Sequence, residues 1–296
     1  MSNINYIEKL AVGVIQTTLD RKLAWPKDAN ANSPKMSSSQ DEHVWLELCK
    51  AIRTFQDGDL KPHIILMPEL SLPRTRLTEF SHMVGALNVI AIAGAGYKIN
   101  KKFNTVKNQG IIFVPRKFFE DLPSHSCTSI AFGKTYPAPT EHEELGELSP
   151  PWSFQGDDNV YVLDCEKYGK IGVSICYDFM DIERALIYRG RIQHLFVLAY
   201  NRDLGMFRSL AASLSRTVFC NVVICNTGYF GGSLAVAPYY DAFNRTLYEH
   251  NGQLLFTTQV VQLEVKGIIE AQKGNTHIGK KQIWKTPPPG WLKIDR

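Results

Sequence analysis

Cys176 stands where a thiol can be made reactive. The segment Lys170-Ile-Gly-Val-Ser-Ile-Cys176-Tyr-Asp-Phe-Met-Asp-Ile-Glu183 reads as an apolar strand running directly into a cysteine and then into a helix led by Asp178 and Asp181. A helix N-terminus presents free backbone N–H groups and positive dipole character, which lower a thiol's pKa and can hold a developing oxyanion. Free cysteines are also common as small buried hydrophobes, so the segment alone supports either reading.

Two further residues have similar settings. His63-Ile-Ile-Leu-Met-Pro-Glu69 is an apolar strand whose first polar residue after the run is a carboxylate, fixed by a preceding proline. A carboxylate at a strand's end can face a pocket and act as a base, although single acids more often lie solvated in loops. Phe132-Gly-Lys134-Thr-Tyr-Pro puts a lysine after a small turn, where a surface cation is the ordinary expectation.

Taken in chain order, Pro-Glu69 after a strand, Lys134, and Cys176-Tyr-Asp at a strand-to-helix turn resemble the nitrilase or carbon–nitrogen hydrolase superfamily. The resemblance spans nearly the whole chain. It takes in Leu10 to Gln16 as the opening strand, Asn108 to Pro115 as the strand before the lysine, Glu183 after the cysteine, and Asn226-Thr-Gly-Tyr-Phe-Gly-Gly-Ser233. It implies Cys176 as nucleophile, Glu69 as general base and Lys134 as the cation that stabilises the tetrahedral intermediate, with the N–H of Tyr177 completing the oxyanion site. It also implies a second, substrate-positioning glutamate after the lysine. Glu141, Glu143 and Glu144 compete for that place, and Glu141 is preferred because Pro137 to Thr140 can turn the chain back toward the site. Glu183 is expected to anchor its helix.

The implied fold is α/β, a four-layer α-β-β-α sandwich, commonly paired into homodimers through helices; Trp284 and Trp291 are candidates for such contacts. The implied activity is hydrolysis of a non-peptide C–N bond, in a linear amide or N-carbamoyl compound, through a cysteine thioester. Acyl transfer to an amine is the variant if water is excluded. Two other readings stay open: a catalytically silent binding or signalling module on the same scaffold, and a cysteine protease, which would want a histidine base that no histidine near Cys176 supplies. One departure weakens any inference about a familiar substrate. Where many members carry Arg followed by Phe-Pro, this chain has Met180, Asp181 and Ile182. Gly94-Ala-Gly96 hints at a phosphate loop but lacks the third glycine and the following helix.

The elements that must position these residues follow from apolar runs. Leu10 to Ile15, His63 to Met67, Val89 to Ala93, Gly110 to Val114, Lys170 to Ile175, His194 to Ala199 and Asn221 to Cys225 read as buried strands. Helical spacing at Glu42 to Phe55, Thr75 to Leu87, Asp181 to Arg189 and Met206 to Phe219 alternates with them. After Gly228 the helical pattern stops, and Ser233 to Ala237, Thr246 to Glu249 and Leu254 to Val265 read as turn-linked strands. Arg21 to Gln40 and Pro115 to Pro151 are expected to be loops, the second forming a wall or lid of the site. Residues 1–280 are expected to form one hydrolase domain and 281–296, with Pro287 to Pro289, an extended tail.

Composition sets outer limits. At 296 residues, 44% hydrophobic and 21% charged, the chain has ample apolar material for a large core. Its net charge of +4 is scattered rather than gathered in the basic stripe that nucleic-acid binding needs. Six cysteines lie far apart without C-x-x-C spacing, and Met1 to Lys9 is polar, so neither a disulfide scaffold nor a structural metal is expected. The apolar runs are too short to span a membrane. The expectation is a cytoplasmic enzyme without cofactor, acting on a small molecule, with no nucleic-acid or membrane partner.

Overall fold

A computed structural model describes residues 4–25 and 33–291; parts of the expected Arg21 to Gln40 loop and of the tail lie outside them. The strands are β1 (Lys9–Gln16), β2 (Ile64–Leu72), β3 (Ile90–Asn100), β4 (Thr105–Pro115), β5 (Cys127–Gly133), β6 (Ser153–Phe154), β7 (Val162–Asp164), β8 (Lys170–Ile175), β9 (His194–Ala199), β10 (Asn221–Asn226), β11 (Ser233–Val236), β12 (Thr246–His250) and β13 (Thr257–Glu264). The helices are α1 (Arg21–Ala24), α2 (Ser38–Asp57), α3 (Leu77–Leu87), α4 (Pro139–Gly146), α5 (Ile182–Tyr188), α6 (Leu204–Leu214) and α7 (Lys266–Gln272).

They build two mixed sheets, and two further short strands, β14 (His277–Ile278) and β15 (Lys281–Gln282), pair as an antiparallel hairpin that takes in the start of the expected extended tail. One sheet has the order β13-β1-β2-β3-β4-β5, with β6 added beside β4; the other runs β12-β11-β10-β9-β8-β7. In each, three central strands are parallel: β1, β2 and β3 in the first, β8, β9 and β10 in the second. Parallel neighbours need a crossover, and α2, α3, α5 and α6 supply it, as the alternation of apolar runs and helical spacing requires. The sheets pack face to face through β1, β2, β9 and β10, while α2 and α3 cover one outer face and α6 the other. This is the four-layer α-β-β-α sandwich. Because both faces of the central strands are covered, β2 and β10 are buried at every position and carry continuous apolar runs. Helix α2 turns Val44, Leu48, Ala51, Ile52 and Phe55 inward at helical spacing.

Several elements differ from expectation: α1 and the first turn of α2 fall within the expected Arg21 to Gln40 loop. The stretch from Pro115 to Pro151 is not one long loop: it holds β5 and α4. Strand β5 is an edge strand with Ser129, Ile130 and Ala131 exposed, so it lacks the apolar run that marks a central strand. Helix α4 buries only Glu141 and Leu145. After Gly228, α7 is helical, burying Ile268, Ile269 and Ala271. Of the tail tryptophans, Trp284 is not free for contacts with a second copy. Trp284 is buried and stacks on Tyr239 with ring centroids 4.3 Å apart, and Trp291 donates its Nε1–H to the Gln272 carbonyl at 3.1 Å.

Gly94 serves packing rather than phosphate. It faces a bulge in β2, where pairing with β3 jumps from Met67–Ala93 to Leu72–Ala95. A Cβ at Gly94 would stand 2.2 Å from the Pro68 carbonyl oxygen and 2.5 Å from Glu69 Cα. Gly94→Ala must push that bulge outward, so we expect a loss of about 1–3 kcal/mol, as for other overpacked sites. Thermal unfolding checks this, and unchanged stability would show that the bulge yields freely.

Candidate active site

The β2 bulge and the end of β8 bring a carboxylate and a thiol together from opposite sheets. Bulges re-aim side chains; here Glu69 is turned inward, and Leu70 beside it takes a left-handed φ of 59°. Cys176 follows β8 and opens a short 3-10 turn over Cys176–Met180, itself at a φ of 46°. Non-glycine residues in this region are strained and persist only where their surroundings over-determine them. Both residues are almost fully buried.

Lys134 follows β5 and is 1% exposed. Its Nζ donates to Glu69 Oε1 at 2.8 Å and to Glu141 Oε2 at 2.7 Å. Of the three competing glutamates, Glu141 is therefore the one that reaches the lysine. Glu143 is exposed, and Glu144 pairs with Arg21 at the edge of the cavity. Pro139 begins α4, and Glu141, three residues into the helix from its Ala138 cap, accepts the Ala138 N–H at 3.2 Å, so the capping interaction also aims the carboxylate.

Burial and charge set the proton states. Desolvation works against an ammonium, but Glu69, Glu141 and the Cys176 sulfur raise the Lys134 pKa above its ordinary value. Glu141 is held below the usual carboxylate range: burial pushes it up, and Lys134, Asn108 and Tyr97 more than offset this. The thiol departs from the sequence expectation. Burial first, and the neighbouring Glu69 carboxylate second, push the Cys176 pKa up, against the opposing pull of Lys134 and the Tyr200 backbone N–H. The turn's dipole does not prevail against burial and the adjacent carboxylate, so the thiol's pKa lies above its ordinary value.

Several residues at the site carry no motif. Asn108 donates its Nδ2 hydrogens to Glu69 Oε1 at 2.8 Å and Glu141 Oε1 at 2.9 Å, and Tyr97 donates its hydroxyl to Glu141 Oε1 at 2.8 Å. A polar residue on a buried strand face was their only sequence signal. The Tyr200 N–H, just past β9, donates to Glu69 Oε2 at 3.1 Å. Asp178 does more than lead a helix: its carboxylate accepts the Thr135 and Tyr136 N–H groups at 2.8 and 2.9 Å, tying the lysine's segment to the cysteine's turn. Arg184 backs it, 3.4 Å from Asp178 Oδ2. Asp181 caps α5 through the Glu183 N–H, and the Glu183 side chain is exposed.

Glu69, Lys134, Glu141 and Cys176 line a cavity of about 970 Å³. Its walls are largely aromatic and thioether, from Trp25, Met180, Tyr200, Phe207, Tyr229 and Phe230. Ala138, Pro139 and Thr140 of the expected wall segment line it, and so does Tyr177, whose side chain is partly exposed. Among the described residues, no group of three or more His, Cys, Asp or Glu side chains is placed to hold a metal ion. No helix of the described residues is long and apolar enough to cross a membrane.

No protein-family model matches the sequence, and no curated protein sequence does. Solved structures do match. Saccharomyces cerevisiae Nit3, a member of branch 10 of the nitrilase superfamily, aligns over 93% of this chain and 97% of its own at 15% identity, with a TM-score of 0.60. A carbon–nitrogen hydrolase from Helicobacter pylori G27 aligns over 90% and 93% at 14% identity, TM-score 0.61. A mutant of the amidase from Nesterenkonia sp. AN1, with the acetamide moiety of fluoroacetamide covalently added at its active site cysteine, aligns over 87% and 91% at 12% identity, TM-score 0.59. With two helix-flanked sheets that superpose on these structures along nearly their whole length, the chain has the fold of the nitrilase superfamily.

Proposed function

We propose that the chain is a carbon–nitrogen hydrolase that cleaves a linear amide or N-carbamoyl compound through a thioester on Cys176. The observation that carries this reading is the buried Lys134 held between Glu69 and Glu141 beside a free thiol on a left-handed turn. A buried ion cluster is weak evidence of stability, since packed apolar side chains do as well, so its presence favours chemistry.

Each group has a role that its geometry allows. The Cys176 sulfur attacks the carbonyl carbon while its proton passes to Glu69, which then delivers it to the departing nitrogen as the C–N bond breaks. Water attacks the thioester with Glu69 as base, releasing the acid and restoring the thiol. An ammonium has three N–H donors, and Lys134 spends two on carboxylates; the third is free to meet the oxygen on which charge develops, together with the Tyr177 N–H. The apolar walls fit a substrate whose body is hydrophobic. Six free thiols suit a reducing compartment such as the cytoplasm. The exposed Ile182 and Leu186 on α5 offer an apolar face for homodimer pairing.

The test is a panel of linear amides and N-carbamoyl amino acids, read by ammonia release and by intact mass. Ammonia from the wild type and none from Cys176→Ala or Glu69→Gln is expected, with an acyl increment on Cys176 caught by acid quench of the wild type during turnover. A folded wild type that releases no ammonia and takes up no mass from any of them would overturn the proposal.

A further inference from the structure

Two carboxylates that share one site repel each other, which works against the charged form of each. Glu69 and Glu141, both almost fully buried, meet on Lys134, and a single planar amide donates to an oxygen of each. We propose that Asn108 is a positioning residue that ties Glu69 to Glu141 and keeps Glu141 ionised, so that Glu69 can take the thiol proton while Glu141 continues to hold Lys134.

Three observations support this. Asn108 lies on β4, beside the lysine's segment, and its backbone carbonyl accepts the Lys134 N–H at 2.9 Å, so one residue fixes both the cation's main chain and its two counterions. Its Oδ1 is buried without a partner among the described residues. An amide retained for packing would have that acceptor satisfied, since an unpaired buried acceptor is costly; this one is kept for its donors. Tyr97 on β3 adds a third donor, on Glu141 alone.

The charges facing the cluster then balance at each stage. At rest it holds Glu69 and Glu141 against Lys134, with Cys176 after β8. Arg21 on α1 lies toward the two glutamates but is paired with Glu144. When the sulfur forms its bond to carbon, its proton goes to Glu69, which leaves Lys134 with Glu141 as its remaining counterion. Without Asn108, the Glu141 carboxylate loses a hydrogen bond made to its charged form and protonates at higher pH, and Lys134 loses its anchor.

This inference builds on the proposed roles of Glu69, Lys134 and Cys176, and its test separates the two. The rate of Cys176 alkylation by iodoacetamide, and kcat/KM on an amide that the wild type hydrolyses, are measured against pH for the wild type, Asn108→Leu and Tyr97→Phe. The acidic limb should move to higher pH by about one unit in Asn108→Leu, a tenfold loss on that limb. In Tyr97→Phe it should move less, in the same direction. If Asn108→Leu fails to fold, Tyr97→Phe and the isosteric Asn108→Asp carry the test. Asn108→Asp can donate only while protonated, so its activity should fall as pH rises. Variants that lose rate equally at every pH, with the limb unmoved, would overturn the role of Asn108. A wild type whose Cys176 is no more reactive than its other buried thiols would instead overturn the assignment of the reacting groups.

Discussion

Lys134→Ala is expected to abolish turnover and destabilise the fold together. The substitution leaves Glu69 and Glu141 buried and facing each other, both within hydrogen-bond reach of an ammonium no longer there. Removing one partner of a buried ion cluster costs about 3–5 kcal/mol, because the remaining charge is uncompensated. The cost should be full at neutral pH and shrink as pH falls, since protonating Glu141 removes the repulsion. Catalysis fails separately, for want of a cation at the developing oxyanion. Thermal unfolding across pH and single-turnover kinetics check the two effects. A variant as stable as the wild type at neutral pH would show that the carboxylates had already shared a proton.

The second large effect concerns the cysteine and its base as one unit. Cys176→Ala and Glu69→Gln should each lower turnover by several orders of magnitude, and the double variant should lose little more, because both block one covalent path. The effects should be far from additive because the thiol's pKa is pushed up. Burial and the adjacent carboxylate hold its proton on, so attack requires Glu69 to accept it at that moment. Single-turnover kinetics on the two single variants and the double decide the matter. Independent, multiplying losses would show that the thiol is activated without Glu69.

Reading the chain alone goes furthest where burial is continuous. Strands β1, β2, β8, β9 and β10 have apolar runs because both of their faces are covered, and the helices between them keep helical spacing. The reading thins where a piece of structure buries little. The exposed edge strand β5 and helix α4, with two buried residues, blur into a loop, although Pro139 and Gly146 mark the helix's ends. At the site, Glu69 and Cys176 stand out because each follows an apolar run, and Lys134, after a small turn, stands out only by its place in chain order between them. Asn108 and Tyr97 do not, since their partners lie 39 and 44 residues away along the chain. The sign of the thiol's shift was out of reach for a related reason: a turn's dipole can be read locally, whereas the desolvation that outweighs it comes from burial in the folded chain.

The hydrogen bond from Tyr200 N–H to Glu69 Oε2 spans 131 positions of sequence and crosses from one sheet to the other. Glu69 comes from the first sheet and Cys176 from the second, so neither half of the chain holds the reacting pair. Contacts of such long range form late, after the loops between them have closed. The environment that shifts Cys176 should therefore appear only when the sheets dock, in the final step of refolding. Pulsed alkylation during refolding would then time that docking: Cys225, whose Sγ lies on the Ile15 and Leu66 carbonyls of the other sheet, falls silent as the core seals, while Cys176 stays reactive and turnover rises in the same phase.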